Sequence, residues 1–157
     1  MPTFKEDQYF LNPWIRGAFS LATLFPLYAI VQQIILGNPM GGSPMSDSTL
    51  LAFAGIVIGM VFLAVRMRLS TVADEKTLTV RYYPFVKRTI AWSDVKQANV
   101  LNYGFAGGWG IRVNTQYGTV FNIKGGMGVA IVPKNGEQFL VGTQKPDEWR
   151  AFLEQIR

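Results

Sequence analysis

The side chains best suited to a chemical role in this sequence are basic, and two of them are adjacent. Lys87 and Arg88 follow a turn signal at residues 83–85, which read Tyr-Pro-Phe. Lysine binds anions as a compact point charge, whereas arginine binds them through a planar fork of N–H donors. Lys87 and Arg88 are therefore candidate contacts for an anionic headgroup or an acidic partner. An ordinary solvated charged face is the alternative.

Two aromatic side chains form a second candidate contact. Phe105 and Trp109 lie in a glycine-rich loop at residues 104–110. Aromatic side chains at a membrane surface favour the headgroup layer. Phe105 and Trp109 could therefore enter a lipid interface or grip a peptide, or they could fold back onto the core.

The composition excludes several kinds of enzyme site. The chain has no Cys and no His, which rules out a disulfide, a thiolate nucleophile, a Cys/His zinc site and a histidine general base. Its glycine runs match neither the dinucleotide-binding pattern nor the P-loop pattern. We therefore expect a protein that is not an enzyme, with no catalytic residue, metal or cofactor. Nucleic-acid binding is not expected, because the basic excess is small and no reader motif is present.

Two uncharged segments predict a membrane hairpin. Residues 17–37 and 48–65 contain no charged side chain, and as helices they would be about 31 and 27 Å long. The hydrocarbon core of a bilayer is about 30 Å thick. We therefore expect two transmembrane helices joined by an extracytoplasmic loop at residues 38–47, with a kink at Pro26. Two buried helices of a soluble bundle are the alternative.

The distribution of Lys and Arg predicts the orientation of this hairpin. Lys5 and Arg16 precede the first apolar segment, Arg66 and Arg68 follow the second, and the loop has neither residue type. Cytoplasmic flanks carry such an excess of positive charge. We expect a multi-pass membrane protein with both termini cytoplasmic, residues 1–16 forming a cytoplasmic N-terminal segment.

The second apolar segment contains a helix-packing signal. Gly55 and Gly59 have the G-x-x-x-G spacing, which places two glycines on one helix face and permits close approach of another backbone. They are candidates for packing against the first helix or against a second subunit. Chance is the alternative, because glycine is common in membrane helices.

Residues 66–157 have a different character. They hold 13 Lys and Arg residues against seven Asp and Glu residues, a net charge of +6. Short alternating segments separated by turn signals predict about seven antiparallel strands. At the C-terminus, Trp149, Phe152, Leu153 and Ile156 form one apolar stripe of a helix that would begin at Pro146. This order is typical of a mainly-β small barrel closed by an amphipathic helix.

Three motifs in this region resemble bacterial PH-like (pleckstrin-homology-type) domains. They are RTIAWSDV at residues 88–95, GWGIR at residues 108–112 and FLVGTQKP at residues 139–146. The resemblance covers about 90 residues and implies a cytoplasmic PH-like domain at residues 66–157. A pair of transmembrane helices ahead of such a domain is a common arrangement in that family.

These observations predict a membrane-anchored interaction module. The domain would dock an unidentified membrane or cytoplasmic protein, or another copy of itself as a homo-oligomer, at the cytoplasmic face of the lipid bilayer. One alternative is recognition of anionic lipid, with Lys87 and Arg88 as charge donors. Another is a non-catalytic subunit of a membrane enzyme or transporter complex.

Overall fold

A computed structural model of the chain describes residues 2–39, 41–104 and 110–156. The chain divides into two compact units. The first unit comprises Met1–Phe10 and Arg68–Arg157, and the second comprises Leu11–Met67. The second unit is therefore an insertion, in sequence, into the first.

The inserted unit is a helical hairpin. Helices α1 (Pro13–Ala22) and α2 (Leu24–Ile30) and a π-helical turn (Val31–Ile35) form its first arm, and α3 (Asp47–Arg66) forms the second. Pro13–Ile35 and Asp47–Arg66 are long and apolar enough to cross a membrane. In the most apolar 18-residue window of each arm, only 11% of the residues are buried.

Pro26 accounts for the interruption of the first arm. A proline lacks the N–H that would bond to the carbonyl four residues earlier, which here is the carbonyl of Ala22, the last residue of α1. Thr23 separates α1 from α2, and its hydroxyl donates to the carbonyl of Ser20 at 2.6 Å. The arm begins four residues earlier than the sequence predicts, because Asn12 caps it by accepting a hydrogen bond from the Ile15 N–H.

The β unit contains two sheets. The first has the order β1 (Phe4–Tyr9), β2 (Arg68–Ala73), β3 (Thr77–Tyr83) and β4 (Val86–Ala91), and all its neighbours are antiparallel. The second contains β5 (Val95–Asn102), β6 (Gly110–Thr115), β7 (Gly118–Asn122), β8 (Met127–Pro133) and β9 (Phe139–Gly142), in the order β5-β8-β9-β7-β6.

Helix α4 (Pro146–Ile156) carries the predicted apolar stripe into the core. Trp149, Phe152 and Leu153 are buried. The Trp149 ring lies 4.3 Å from the ring of Phe4, and the Phe152 ring lies 6.0 Å from that of Trp92, measured between centroids. The aromatic face of α4 therefore packs against residues from both edges of the first sheet, Phe4 on β1 and Trp92 directly after β4.

The structure corrects two sequence-based predictions about this unit. The sequence predicts no strand in residues 1–16, yet Phe4–Tyr9 is a strand paired with Arg68–Ala73. Among the described residues, those after Arg66 form eight strands where about seven were expected, the strands lie in two sheets rather than one closed barrel, and β7 pairs with β9 in parallel. The mainly-β character and the C-terminal helix are confirmed.

Strand β1 escapes prediction because its buried face is partly polar. Phe4, Glu6 and Gln8 are buried in alternation with exposed residues. The Glu6 carboxylate accepts hydrogen bonds from the Thr143 hydroxyl at 2.5 Å and from the Gln144 N–H at 2.8 Å. A hydrophobic-periodicity search misses such a strand, since two of its three inward residues are hydrophilic.

Gln8 extends these polar contacts along β1. Its side-chain amide donates to the Gly142 carbonyl at 2.7 Å, and its amide oxygen accepts from the Gln144 side chain at 3.2 Å. Glu6 and Gln8 thus attach the N-terminal strand to the segment that joins β9 to α4.

Replacing Glu6 with alanine is expected to lower the free energy of unfolding by about 2 kcal/mol, because the buried Thr143 hydroxyl and the partly buried Gln144 N–H would lose their acceptor. Denaturant unfolding of the full chain in detergent micelles, followed by circular dichroism, measures this loss. Lys5→Ala is the matched control, because Lys5 is its exposed neighbour on the same strand. Equal effects of the two substitutions would contradict the assignment.

Candidate functional site

The structure separates the two adjacent basic residues of the predicted lipid contact. Lys87 and Arg88 are consecutive in β4, and consecutive side chains of a strand point to opposite faces of the sheet. Lys87 is exposed, whereas Arg88 is only partly exposed. The two side chains therefore cannot act together on one face of the sheet.

Arg88 already has protein partners. Its guanidinium donates to the Glu137 carbonyl at 3.1 Å and lies 4.1 Å from the centroid of the Phe139 ring. A guanidinium over an aromatic face is held by a cation–π attraction of roughly 0.5–2 kcal/mol. The geometry therefore favours a structural role for Arg88, in which it joins β4 to the start of β9.

The other predicted contacts divide into two groups. Phe105 and Trp109 lie outside the described residues. Gly55 and Gly59 lie on α3, and nothing described comes within 4 Å of the position that a Cβ would occupy on either glycine. The hairpin packs instead through the buried residues Pro26 and Ala29 of α2 and Leu50 and Ala54 of α3.

A cluster of cations occupies the outer face of the first sheet. Arg81 of β3 lies directly opposite Lys87 of β4, and Arg68 of β2 lies opposite Tyr83 of β3. The guanidinium carbons of Arg81 and Arg68 are 5.4 and 6.0 Å from the centroid of the Tyr83 ring. We call Arg68, Arg81, Lys87 and Tyr83 the basic face.

The sequence contained a signal for part of this cluster. Pro84 lies at the centre of the β3–β4 turn, and Arg81 and Lys87 are each three residues from it. Positions equidistant from the centre of an antiparallel hairpin face each other. The contribution of Arg68 could not be found this way, because it depends on the register between β2 and β3.

Two adjoining pockets that share Ala98 and Leu153 lie between β5 and α4, and together we call them the groove. Its apolar lining comes from both elements and from the turn before β5, and its charged residues are Lys96, Arg150 and Glu154. The apolar residues are Trp92, Val95, Ala98, Val100, Leu153 and Ile156. Strand β5 is the last strand of its sheet, so the groove lies beside a strand edge.

Three side chains have a pKa shifted from its ordinary value, and each shift has a structural cause. The backbone N–H groups of Lys76 and Thr77 donate to Asp74 and lower the pKa of its carboxyl. Burial raises the pKa of Tyr82 and of Tyr103. Asp74 thus stabilises the β2–β3 turn, and the two tyrosines belong to the core.

Comparison with known proteins identified no relative of this chain. No protein-family model matches the chain, and no curated protein or solved structure is matched by it. The resemblance to bacterial PH-like domains therefore rests on the sequence motifs and stays a prediction.

Proposed function

We propose that this chain is a membrane-anchored PH-like interaction module, not an enzyme, that docks an extended segment of a protein partner along β5. The groove between β5 and α4 is the observation that carries the proposal. A helix packed beside two small sheets is compatible with the PH-like resemblance. The additional N-terminal strand β1 and the parallel β7–β9 pair are departures from the expected plan.

The exposed hairpin supports the membrane anchor. A buried helix pair of a soluble protein would hide most of its apolar side chains, whereas Phe25, Ile56 and Met60 are each more than half exposed. Trp14 is 89% exposed just inside the start of α1, where an interfacial aromatic side chain is favoured. These features favour lipid as the surroundings of both arms.

The pairing of β1 with β2 supports termini on one side of the membrane. These two strands flank the hairpin in sequence and are hydrogen-bonded neighbours. If both arms cross the bilayer, the strands must meet on the side from which the chain entered. The distribution of Lys and Arg favours the cytoplasmic side of a bacterial inner membrane.

The strand edge supports docking of an extended segment. An edge strand presents unpaired N–H and C=O groups that an added strand can use. The adjoining groove has apolar walls for alternate side chains of such a segment. A second copy of the chain is the alternative occupant of the groove. In such a homo-oligomer, the face of α3 that carries Gly55 and Gly59 is open and would suit contact between two hairpins.

Labelling of single cysteines tests the membrane topology, because the natural chain has none. A membrane-impermeant maleimide added to intact cells is expected to label Ser43→Cys in the loop between the arms. Thr3→Cys and Asn135→Cys should react only after the membrane is permeabilised. Labelling of Thr3→Cys or Asn135→Cys in intact cells would refute the proposed orientation.

Site-specific photocrosslinking tests the docking surface. A photoreactive residue at Gln97 on β5 is expected to yield a discrete product that Ala98→Arg abolishes by filling the groove. The matched position is Val113 on β6, which is 65% exposed at the opposite edge of the same sheet, and it should yield no such product.

Mass spectrometry of the product identifies the occupant of the groove. Crosslinks confined to one extended segment of a partner, or of a second copy carrying a different tag, fit docking along β5. Equal yields at Gln97 and Val113, or a product insensitive to Ala98→Arg, would exclude β5 as the docking strand.

A further inference from the structure

The basic face places like charges opposite each other. Arg81 and Lys87 are directly facing residues of β3 and β4, and like charges in such a pair destabilise a sheet. In the part of the chain that the structure describes, the ion pairs join Lys145 to Glu148 and Arg150 to Asp147. Neither pair involves the basic face.

The nearest acidic residue in the register does not neutralise the pair. Asp7 of β1 faces Ser70 of β2, and Ser70 in turn faces Arg81. One strand therefore separates Asp7 from Arg81, a backbone distance of about 10 Å. The fold bears an electrostatic cost at this face that an external anion would remove.

Tyr83 gives the face a defined geometry. Its ring attracts the guanidinium groups of both Arg68 and Arg81, which restricts the positions that these long side chains occupy. Phe85, at the tip of the same turn, is 58% exposed. Cations beside exposed aromatic rings are the combination favoured at a membrane interface.

Both connections of the chain to the hairpin leave the first sheet at one end of its strands. Arg68 is the second residue after α3 ends, and Tyr9, which faces Arg68 across the β1–β2 ladder, is the fourth residue before α1 begins. Both chain connections to the membrane arms therefore leave the sheet at the row that contains Arg68 and Tyr83.

We propose that the basic face binds the phosphate of an anionic phospholipid in the leaflet from which the hairpin enters the bilayer. Arg68 and Arg81 would supply N–H donors and Lys87 an ammonium group, and the lipid charge would relieve the repulsion between Arg81 and Lys87. This inference rests on the proposed membrane anchor but is independent of docking along β5.

Native mass spectrometry of the full chain in detergent micelles tests the proposal. Short-chain phosphatidylglycerol is expected to bind the natural chain more tightly than short-chain phosphatidylcholine. Arg81→Gln/Lys87→Gln should weaken phosphatidylglycerol binding roughly tenfold or more. Lys124→Gln/Lys134→Gln is the matched control, because it removes the same charge from exposed turns elsewhere in the β unit, and it should keep the preference.

Three outcomes of this experiment would overturn the proposal. The first is that the Arg81→Gln/Lys87→Gln chain keeps the preference for phosphatidylglycerol over phosphatidylcholine. The second is that the Lys124→Gln/Lys134→Gln chain loses as much of that preference, which would indicate an effect of net charge alone. Displacement of phosphatidylglycerol by an equal concentration of inorganic phosphate would indicate a free-phosphate site instead.

Thermal unfolding in nanodiscs separates binding from folding. In phosphatidylcholine, Arg81→Gln/Lys87→Gln is expected to match or exceed the Tm of the natural chain, because the facing charges are gone. Phosphatidylglycerol should raise the Tm of the natural chain and leave that of the variant unchanged. A lower Tm for the variant in phosphatidylcholine would show that the two cations stabilise the fold and would contradict the proposal. Failure of the natural chain to enter nanodiscs would instead refute the membrane anchor.

Discussion

The Glu6 carboxylate and its two donors hold together the most distant parts of the chain. A carboxylate withdrawn from water is costly unless hydrogen bonds replace its hydration, and Thr143 and Gln144 supply them. The donors lie 137 and 138 residues from Glu6 in sequence. Gln8 and the Phe4–Trp149 ring contact extend the same attachment. The N-terminal strand is thereby fastened to the start of the C-terminal helix.

This attachment explains the arrangement of the chain. Once β1 belongs to the same sheet as β2, the 57 residues from Leu11 to Met67 form an insertion with both ends at one end of that sheet. A domain joined to its anchor by two connections has fewer accessible orientations than one on a single linker. The basic face and the docking strand would both benefit, because each needs a fixed presentation toward its partner.

Elements with a clear pattern of apolar residues could be predicted from the sequence, and elements without one could not. Both apolar arms were predictable as uncharged runs long enough to span a bilayer. The strands after Arg66 and the stripe of α4 were predictable because burial there selects apolar residues at a regular period. Strand β1 was not, because its inward Glu6 and Gln8 are polar. Strand alternation argues against a joint role for Lys87 and Arg88, which stays a prediction, since only Lys87 faces outward with Arg81. The sequence analysis grouped Lys87 with Arg88 because the two are consecutive. In a sheet, however, the neighbour of Lys87 on the same face is set by the pairing of the strands, and it is Arg81.

Disulfide trapping in the naturally cysteine-free chain tests the pairing of β1 with β2 most directly. Asp7 and Ser70 face each other across the two strands, whereas Val72 is displaced from Ser70 by two residues on the same face. Oxidation is expected to crosslink Asp7→Cys/Ser70→Cys efficiently and Asp7→Cys/Val72→Cys poorly. Failure of the first pair to crosslink, or equal crosslinking of both pairs, would contradict an N-terminal strand held in this register.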